Sequence, residues 1–155
     1  MKLTVAAIGR LTRSPLTDMV MDYQNRIDAL ARQTRLGPVD LRELEDRAGK
    51  GLDAEAKLLL DVPAERRIAL DERGKDLTSL DLSNRLGAWR DDGVATVAFL
   101  IGGADGHPAS LRRSVDLTLS FGKLTWPHAM ARLMLMEQLY RASTILAGHP
   151  YHREG

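Results

Sequence analysis

The chain has no cysteine. That excludes disulfides, thiolate metal ligands and a cysteine nucleophile, and it fits a reducing compartment. A net charge is almost lacking too: 22 Lys and Arg against 21 Asp and Glu leave +1. Whole-chain electrostatics therefore selects no polyanionic partner, and any basic face must be local. No run approaches the ~18 apolar residues of a membrane span. Residues 1–10 carry one short apolar run followed at once by Arg10 and Arg13, which suits a buried first strand better than a secretory signal. A cytoplasmic protein is the expectation. No internal repeat, low-complexity stretch or linker divides the sequence, and 155 residues suffice for one domain with its own core, residues 1–155.

Residues 3–8 read as a buried strand. Ser14 followed by Pro15 is a helix start, a hydroxyl cap before the residue whose missing N–H costs nothing at the first helical position. Leu16, Met19, Val20, Tyr23, Ile27, Leu30 and Ala31 then keep helical spacing, and Gly37-Pro38 ends that helix. Residues 39–44 form a half-buried strand, 46–51 a charged loop, and 52–62 a helix stopped by Pro63. Residues 67–71 are a short strand followed by a turn at 72–75. Thr78 and Asp81 resemble a capping box for a helix that buries Leu82, Leu86 and Trp89. Residues 94–101, apolar on both faces, are a central parallel strand. A short helix at 110–115, a strand starting at Leu117 and a long helix over 129–147, closed by Gly148, complete the chain. Strict alternation of strand and helix predicts an α/β fold, a mainly parallel sheet with helices on both faces.

Two loops follow strands and precede helices: Ile101-Gly102-Gly103-Ala104-Asp105-Gly106 and Leu124-Thr125-Trp126-Pro127-His128. An open α/β sheet binds its ligand there, beyond the C-terminal ends of its strands. The glycine loop is neither G-x-G-x-x-G nor a P-loop, which argues against a standard dinucleotide or nucleoside triphosphate cradle. Pro127 biases Trp126 to an extended conformation, leaving backbone groups of 122–127 free to read the edge of a flat heterocycle. Trp126 either walls that pocket or belongs to the core. The long helix carries Met130, Leu133, Met134, Leu135, Met136, Leu139 and Ile145, apolar nearly all round, and a dimer interface would explain burial on both sides. Glu137 and Arg141, four apart, are a helix ion pair or, if buried, orienting groups. His107, His128, His149 and His152 do not suit a metal, because no acidic ligand accompanies them and Pro150 breaks the last helix. The tail residues Tyr151, His152 and Arg153 combine a base-stacking ring, a titratable imidazole and a phosphate-reading guanidinium. Local positive charge comes from Arg112, Arg113, Lys123, Arg132, Arg141 and Arg153. Without more, a flavodoxin-like small-molecule binder and a non-enzymatic RNA-binding module share these features.

Four stretches together resemble the RlmH family: residues 99–106, 124–128, Glu137-Gln138-Leu139-Tyr140-Arg141-Ala142, and the ending His149-Pro150-Tyr151-His152-Arg153. These are small SPOUT-class methyltransferases that modify large-subunit ribosomal RNA. The resemblance spans the whole chain, including its length and the opening Met1-Lys2-Leu3. It implies a trefoil knot formed by about residues 94–155, a homodimer, and S-adenosylmethionine as methyl donor. It implies an acceptor at N3 of a pseudouridine in helix 69 of 23S rRNA, presented by the assembled 70S ribosome. Leu70, Gly103, Gly122, Lys123, Leu124, Thr125, Trp126 and Pro127 would line the donor pocket. His128, Arg141, Tyr151, His152 and Arg153 would stand near the acceptor, with Arg112 adding charge for RNA. The chain departs from the family in reading Gly-Gly-Ala-Asp-Gly in the first loop, and in carrying Trp126 where Leu or Phe is commoner. On this resemblance His152 is the natural general base, Arg153 or Arg141 stabilises the developing anion, and Tyr151 receives the unstacked base.

Overall fold

The computed structural model describes residues 1–153. Five strands alternate with five helices: β1 (Lys2–Ile8), α1 (Pro15–Thr34), β2 (Val39–Leu44), α2 (Leu52–Leu60), β3 (Arg66–Asp76), α3 (Ser79–Asp91), β4 (Thr96–Ile101), α4 (Ala109–Ser114), β5 (Leu117–Ser120) and α5 (His128–Leu146). The strands pair in parallel in the order β2-β1-β4-β3-β5. One register row runs Leu41, Val5, Phe99, Ile68, Leu117 across the sheet. Because strand side chains alternate, that row and its equivalents face one layer, made by α1, α3 and α5. Ala6, Ile8, Ala69, Ala98 and Leu100 face the other, covered by α2 and α4. Both faces are buried, which is why β4 is apolar along its length.

Local chemistry sets most boundaries. Ser14 Oγ accepts from the Thr17 N–H at 3.4 Å, with Pro15 behind it at the helix start. The helix ends three residues before the expected Gly37-Pro38 pair, at Thr34. Thr34 Oγ1 donates to Leu30 O at 3.0 Å and accepts from the Leu36 N–H at 3.2 Å, satisfying the last turn from within. The capping box of α3 closes on both sides, each bond 3.0 Å, so the shorter Asp81 arm reaches after all. The Thr78 hydroxyl, donating to Asp81 Oδ2 at 2.7 Å, and then the Thr78 N–H hold the Asp81 carboxyl below its ordinary range. Val94 is not in β4; its N–H closes α3 onto Trp89 O at 2.9 Å.

The largest difference from the sequence reading is β3. The expected turn at 72–75 is a continuation of the strand, with a register break that sets both Leu70 and Lys75 opposite Leu119. Glu72, Arg73 and Gly74 have turn character, but β5 supplies a pairing partner that no local signal announces. A Cβ on Gly74 would lie 2.6 Å from the Thr118 carbonyl carbon and oxygen, so only glycine lets the bulged strand press on β5.

After β5, at one edge of the sheet, residues 121–127 carry the chain to the opposite side. There Arg132 of α5 donates to Glu43 Oε2 at 3.0 Å and Gly9 O at 3.2 Å, at the C-terminal ends of β2 and β1. This crossing over the β3 and β4 ends is consistent with the knotted C-terminal part that the resemblance implies. Leu133, Leu135, Met136 and Leu139 enter the core, whereas Met130 and Met134 stay half-buried.

His107, in the loop after β4, is buried under the glycine turn. The Leu100 carbonyl can only accept, so the ring donates through Nε2 at 3.1 Å, leaving buried Nδ1 without a partner among the described residues. Burial pushes the imidazole below its ordinary 6.5, and nearby Arg112 adds to the shift. The unfolded chain therefore takes up a proton that the folded one refuses. Stability is full above 6.5 and is lost as pH falls from there toward the depressed folded value. His107→Gln, which keeps an N–H for Leu100, is expected to flatten the fall in Tm over that window. Parallel melting curves for the two proteins would refute this.

Candidate functional site

The C-terminal ends of β3, β4 and β5 enclose a cavity of about 320 Å³. Of the residues expected there, Leu70, Gly103, Gly122, Leu124, Thr125 and Trp126 line it, and so does His128, which was expected near the acceptor. Lys123 and Pro127 belong to the same segment but do not face the cavity; both are exposed, and Pro127 serves as the N-cap position of α5. Trp126 is a wall, not core: it is 40% exposed, with Nε1 donating to Phe121 O at 3.4 Å. Leu124 is 72% exposed beside it, an apolar surface that needs a cover.

The glycine turn brings backbone to the cavity wall. The Gly106 N–H donates to Gly103 O at 3.1 Å, folding the loop into a narrow hairpin. A Cβ on Gly102 would meet Gly106 O at 2.5 Å, so a side chain there cannot coexist with the turn. Asp71, Glu72 and Asp105 also line the cavity, and Glu55 approaches Gly103 from α2. Burial and the charges of Asp105 and Asp46 push the Glu55 carboxyl above its ordinary range. Arg73 lines the cavity too, and Asp71 is paired with Arg112 at 3.5 Å and with Arg73 at 3.9 Å, which leaves Glu72 and Asp105 as the lining carboxylates without an ion-pair partner among the described residues. Glu72 and Arg73 were missed because residues 72–75 read as a turn, and Asp71, the last residue of the expected strand, carried no signal that set it apart as a lining residue. Asp105 was legible, since it sits inside the glycine loop.

Arg112, expected as an RNA contact, is engaged inward. Its Nη1 donates to His107 O at 2.7 Å and lies 3.5 Å from Asp71 Oδ2, tying α4 to the glycine loop and the β3 end.

A second cluster lies on the C-terminal half of α5. Glu137 accepts from Arg141 through Nε and Nη2, from Gln138 Nε2 at 3.0 Å and from the Tyr151 hydroxyl at 3.1 Å. Arg141 Nη1 is 3.3 Å from His152 Nδ1, and its guanidinium lies over the Tyr151 ring at 5.0 Å. Tyr151 meets Tyr140 edge-on at 4.8 Å, and Tyr140 meets Tyr23 of α1 at 5.8 Å. Burial and Glu137 push the Tyr151 hydroxyl up to about 12, so it stays protonated at neutral pH. Arg153 is exposed at the end of this cluster. Arg141, Tyr151 and His152 are thus brought together as expected, and Glu137 is the group that gathers them.

The two clusters do not meet within one chain. His128 lines the cavity and Arg141 stands thirteen residues further along α5, about 20 Å at 1.5 Å per residue. Among the described residues no three His, Cys, Asp or Glu side chains come together as a metal site would need. No described helix is long and apolar enough to cross a membrane.

A family model described as Predicted SPOUT methyltransferase matches residues 1–152. The ribosomal RNA large subunit methyltransferase H of Dinoroseobacter shibae is 51% identical over 155 residues, covering 99% of both chains. The chain belongs to the RlmH family of SPOUT methyltransferases. The protein of the same name from Ruegeria pomeroyi is 48% identical over 155 residues, again covering 99% of both chains. A probable methylase family protein from Haemophilus influenzae shares the fold at a TM-score of 0.56 and 11% identity, covering 98% of this chain and 70% of that one. Membership over the full length accounts for the parallel sheet, the strand-end cavity and the long closing helix as one inherited architecture.

Proposed function

We propose that the strand-end cavity binds S-adenosylmethionine and that the protein methylates N3 of pseudouridine 1915, in helix 69 of 23S rRNA, on the assembled ribosome. The observation that carries this reading is the cavity itself. It has a backbone-lined glycine turn, an aromatic wall and two lining carboxylates, Glu72 and Asp105, features that suit a flat heterocycle bearing a positive centre. The names of the relatives, at about half identity over the whole chain, support ribosomal RNA as the acceptor. Such a substrate places the work in the cytoplasm.

The donor fits the residues present. The glycine turn with Gly122, Leu124, Thr125 and Trp126 would face the adenine and ribose, and Glu72 and Asp105 would offer carboxylates to the positive end. Bound there, S-adenosylmethionine would supply a methyl group on positively charged sulfur, an electrophile already activated because sulfur can leave with the bonding pair. The protein must mainly align donor and acceptor in line. Tyr151 offers a ring on which an unstacked base can rest, Arg153 offers charge for a phosphate or a developing anion, and Arg141, paired with Glu137, holds the cluster together.

One copy cannot do this, because its acceptor cluster lies too far from its own cavity. We therefore read the protein as a homodimer in which the tail of one copy serves the cavity of the other. The half-buried Met130 and Met134 suit burial in such an interface.

The test is methyl transfer from labelled S-adenosylmethionine to intact ribosomes lacking the modification, to isolated large subunits and to naked 23S rRNA. Label on intact ribosomes alone, mapping to the helix 69 loop, is the expected result. Label on naked RNA would change the substrate. No donor binding would make the protein a non-enzymatic ribosome-binding module.

A further inference from the structure

A guanidinium carries only donors, so Arg141 Nη1 at 3.3 Å from His152 Nδ1 forms a hydrogen bond only when Nδ1 offers its lone pair. In a neutral ring the proton then sits on Nε2. The reverse tautomer would set Nδ1–H against Arg141, donor facing donor. Arg141 is not free to turn away, because its Nε and Nη2 both donate to Glu137. Glu137 is held in its turn by the Gln138 amide at 3.0 Å and the Tyr151 hydroxyl at 3.1 Å, so one carboxylate accepts four donors.

We infer that Glu137, acting through Arg141, holds His152 as the Nε2–H tautomer, so that His152 meets the acceptor base as a hydrogen-bond donor to a carbonyl oxygen and does not remove its N3 proton. This rests on the methyltransferase reading of the site. It replaces the expectation that His152 is the general base. The chemistry favours a donor. As N3 of the imide loses its proton, negative charge spreads onto the two flanking carbonyl oxygens, and an N–H aimed at one of them stabilises that charge. The proton itself passes to solvent water. Tyr151, protonated at neutral pH, presents no base either, and Glu137 already has its oxygens occupied. Glu137 is a positioning residue: it sets which nitrogen of His152 carries hydrogen, much as an outer carboxylate fixes the tautomer of a ligating histidine.

Two measurements on the full-length protein decide the matter. Nitrogen-15 NMR of the neutral His152 ring is expected to show bare Nδ1 and protonated Nε2, with this bias lost in Glu137→Gln. In methyl transfer, His152→Gln keeps an amide N–H near the Nε2 position but cannot take a proton. It is expected to retain activity within about tenfold of the natural protein, while His152→Ala falls by about 10²-fold or more. A ring protonated mainly at Nδ1 would overturn the inference, as would a His152→Gln enzyme no better than His152→Ala. If the natural protein transfers no methyl, the function reading fails separately, and the NMR result still decides the tautomer.

Discussion

Gly102→Ala is expected to lower affinity for S-adenosylmethionine by about 10²-fold or more, the penalty typical of a displacement near 1 Å in a binding constellation. The added Cβ would lie 2.5 Å from Gly106 O and 2.8 Å from Gly106 C. Both are backbone atoms, so no rotamer change can relieve the contact. The Gly103–Gly106 hairpin must open, and its 3.1 Å hydrogen bond holds the surface that faces the ligand. Loss of stability should be smaller, about 1–3 kcal/mol, as for other overpacked sites. Calorimetric titration with the donor, alongside a thermal melt, separates the two. Unchanged affinity would show that the glycine turn is not part of the donor site. The same variant probes the shared site. Mixed with a chain cut after His149, which keeps its cavity but lacks the tail, Gly102→Ala is expected to restore transfer in mixed dimers. A mixture as inactive as its components would mean that each chain uses its own tail.

Arg132→Ala is expected to cost about 2–3 kcal/mol, below the 3–5 typical of breaking a fully buried pair. The discount reflects its partner: Arg132 side-chain exposure is 5% but that of Glu43 is 38%, so water can reclaim the carboxylate. The half-buried Gly9 O also loses its donor at 3.2 Å. For a chain of this size the corresponding fall in Tm is about 4–12 °C. Arg132→Met fills the same space without a buried charge and should recover more than half of that loss. Because Arg132 seats the first turns of α5, donor affinity should fall together with stability in the alanine variant. A melt unchanged by Arg132→Ala would show that the long helix is held by its apolar face alone.

Much of the candidate site was readable before folding was considered. The glycine turn and the 122–127 segment announced themselves by following strands, and the tail by its functional groups. Their assembly was not readable. The acidic lining from Asp71 and Glu72 depends on the bulge in β3, which exists because β5 lies beside it and Gly74 leaves room. Arg112 and Arg132 looked like surface charge, and each is turned inward by partners distant in the chain: Asp71 for the first, Glu43 and Gly9 for the second. Glu137 and Arg141 were legible as a pair by spacing, but the capture of Tyr151 and His152 required the tail to fold back over α5.

Order of strands and helices, the Ser14 and Thr78 caps, the burial of β4 on both faces and the position of the ligand loops all follow from interactions within a few residues. Backbone propensity, capping and hydrophobic period act at that range, so the residues alone settle them. Strand order, the extended β3, the crossing at 121–127, the distance between cavity and tail, and the contact of Arg141 with His152 are different. Each depends on which distant group lies opposite, and only packing the whole chain supplies that group.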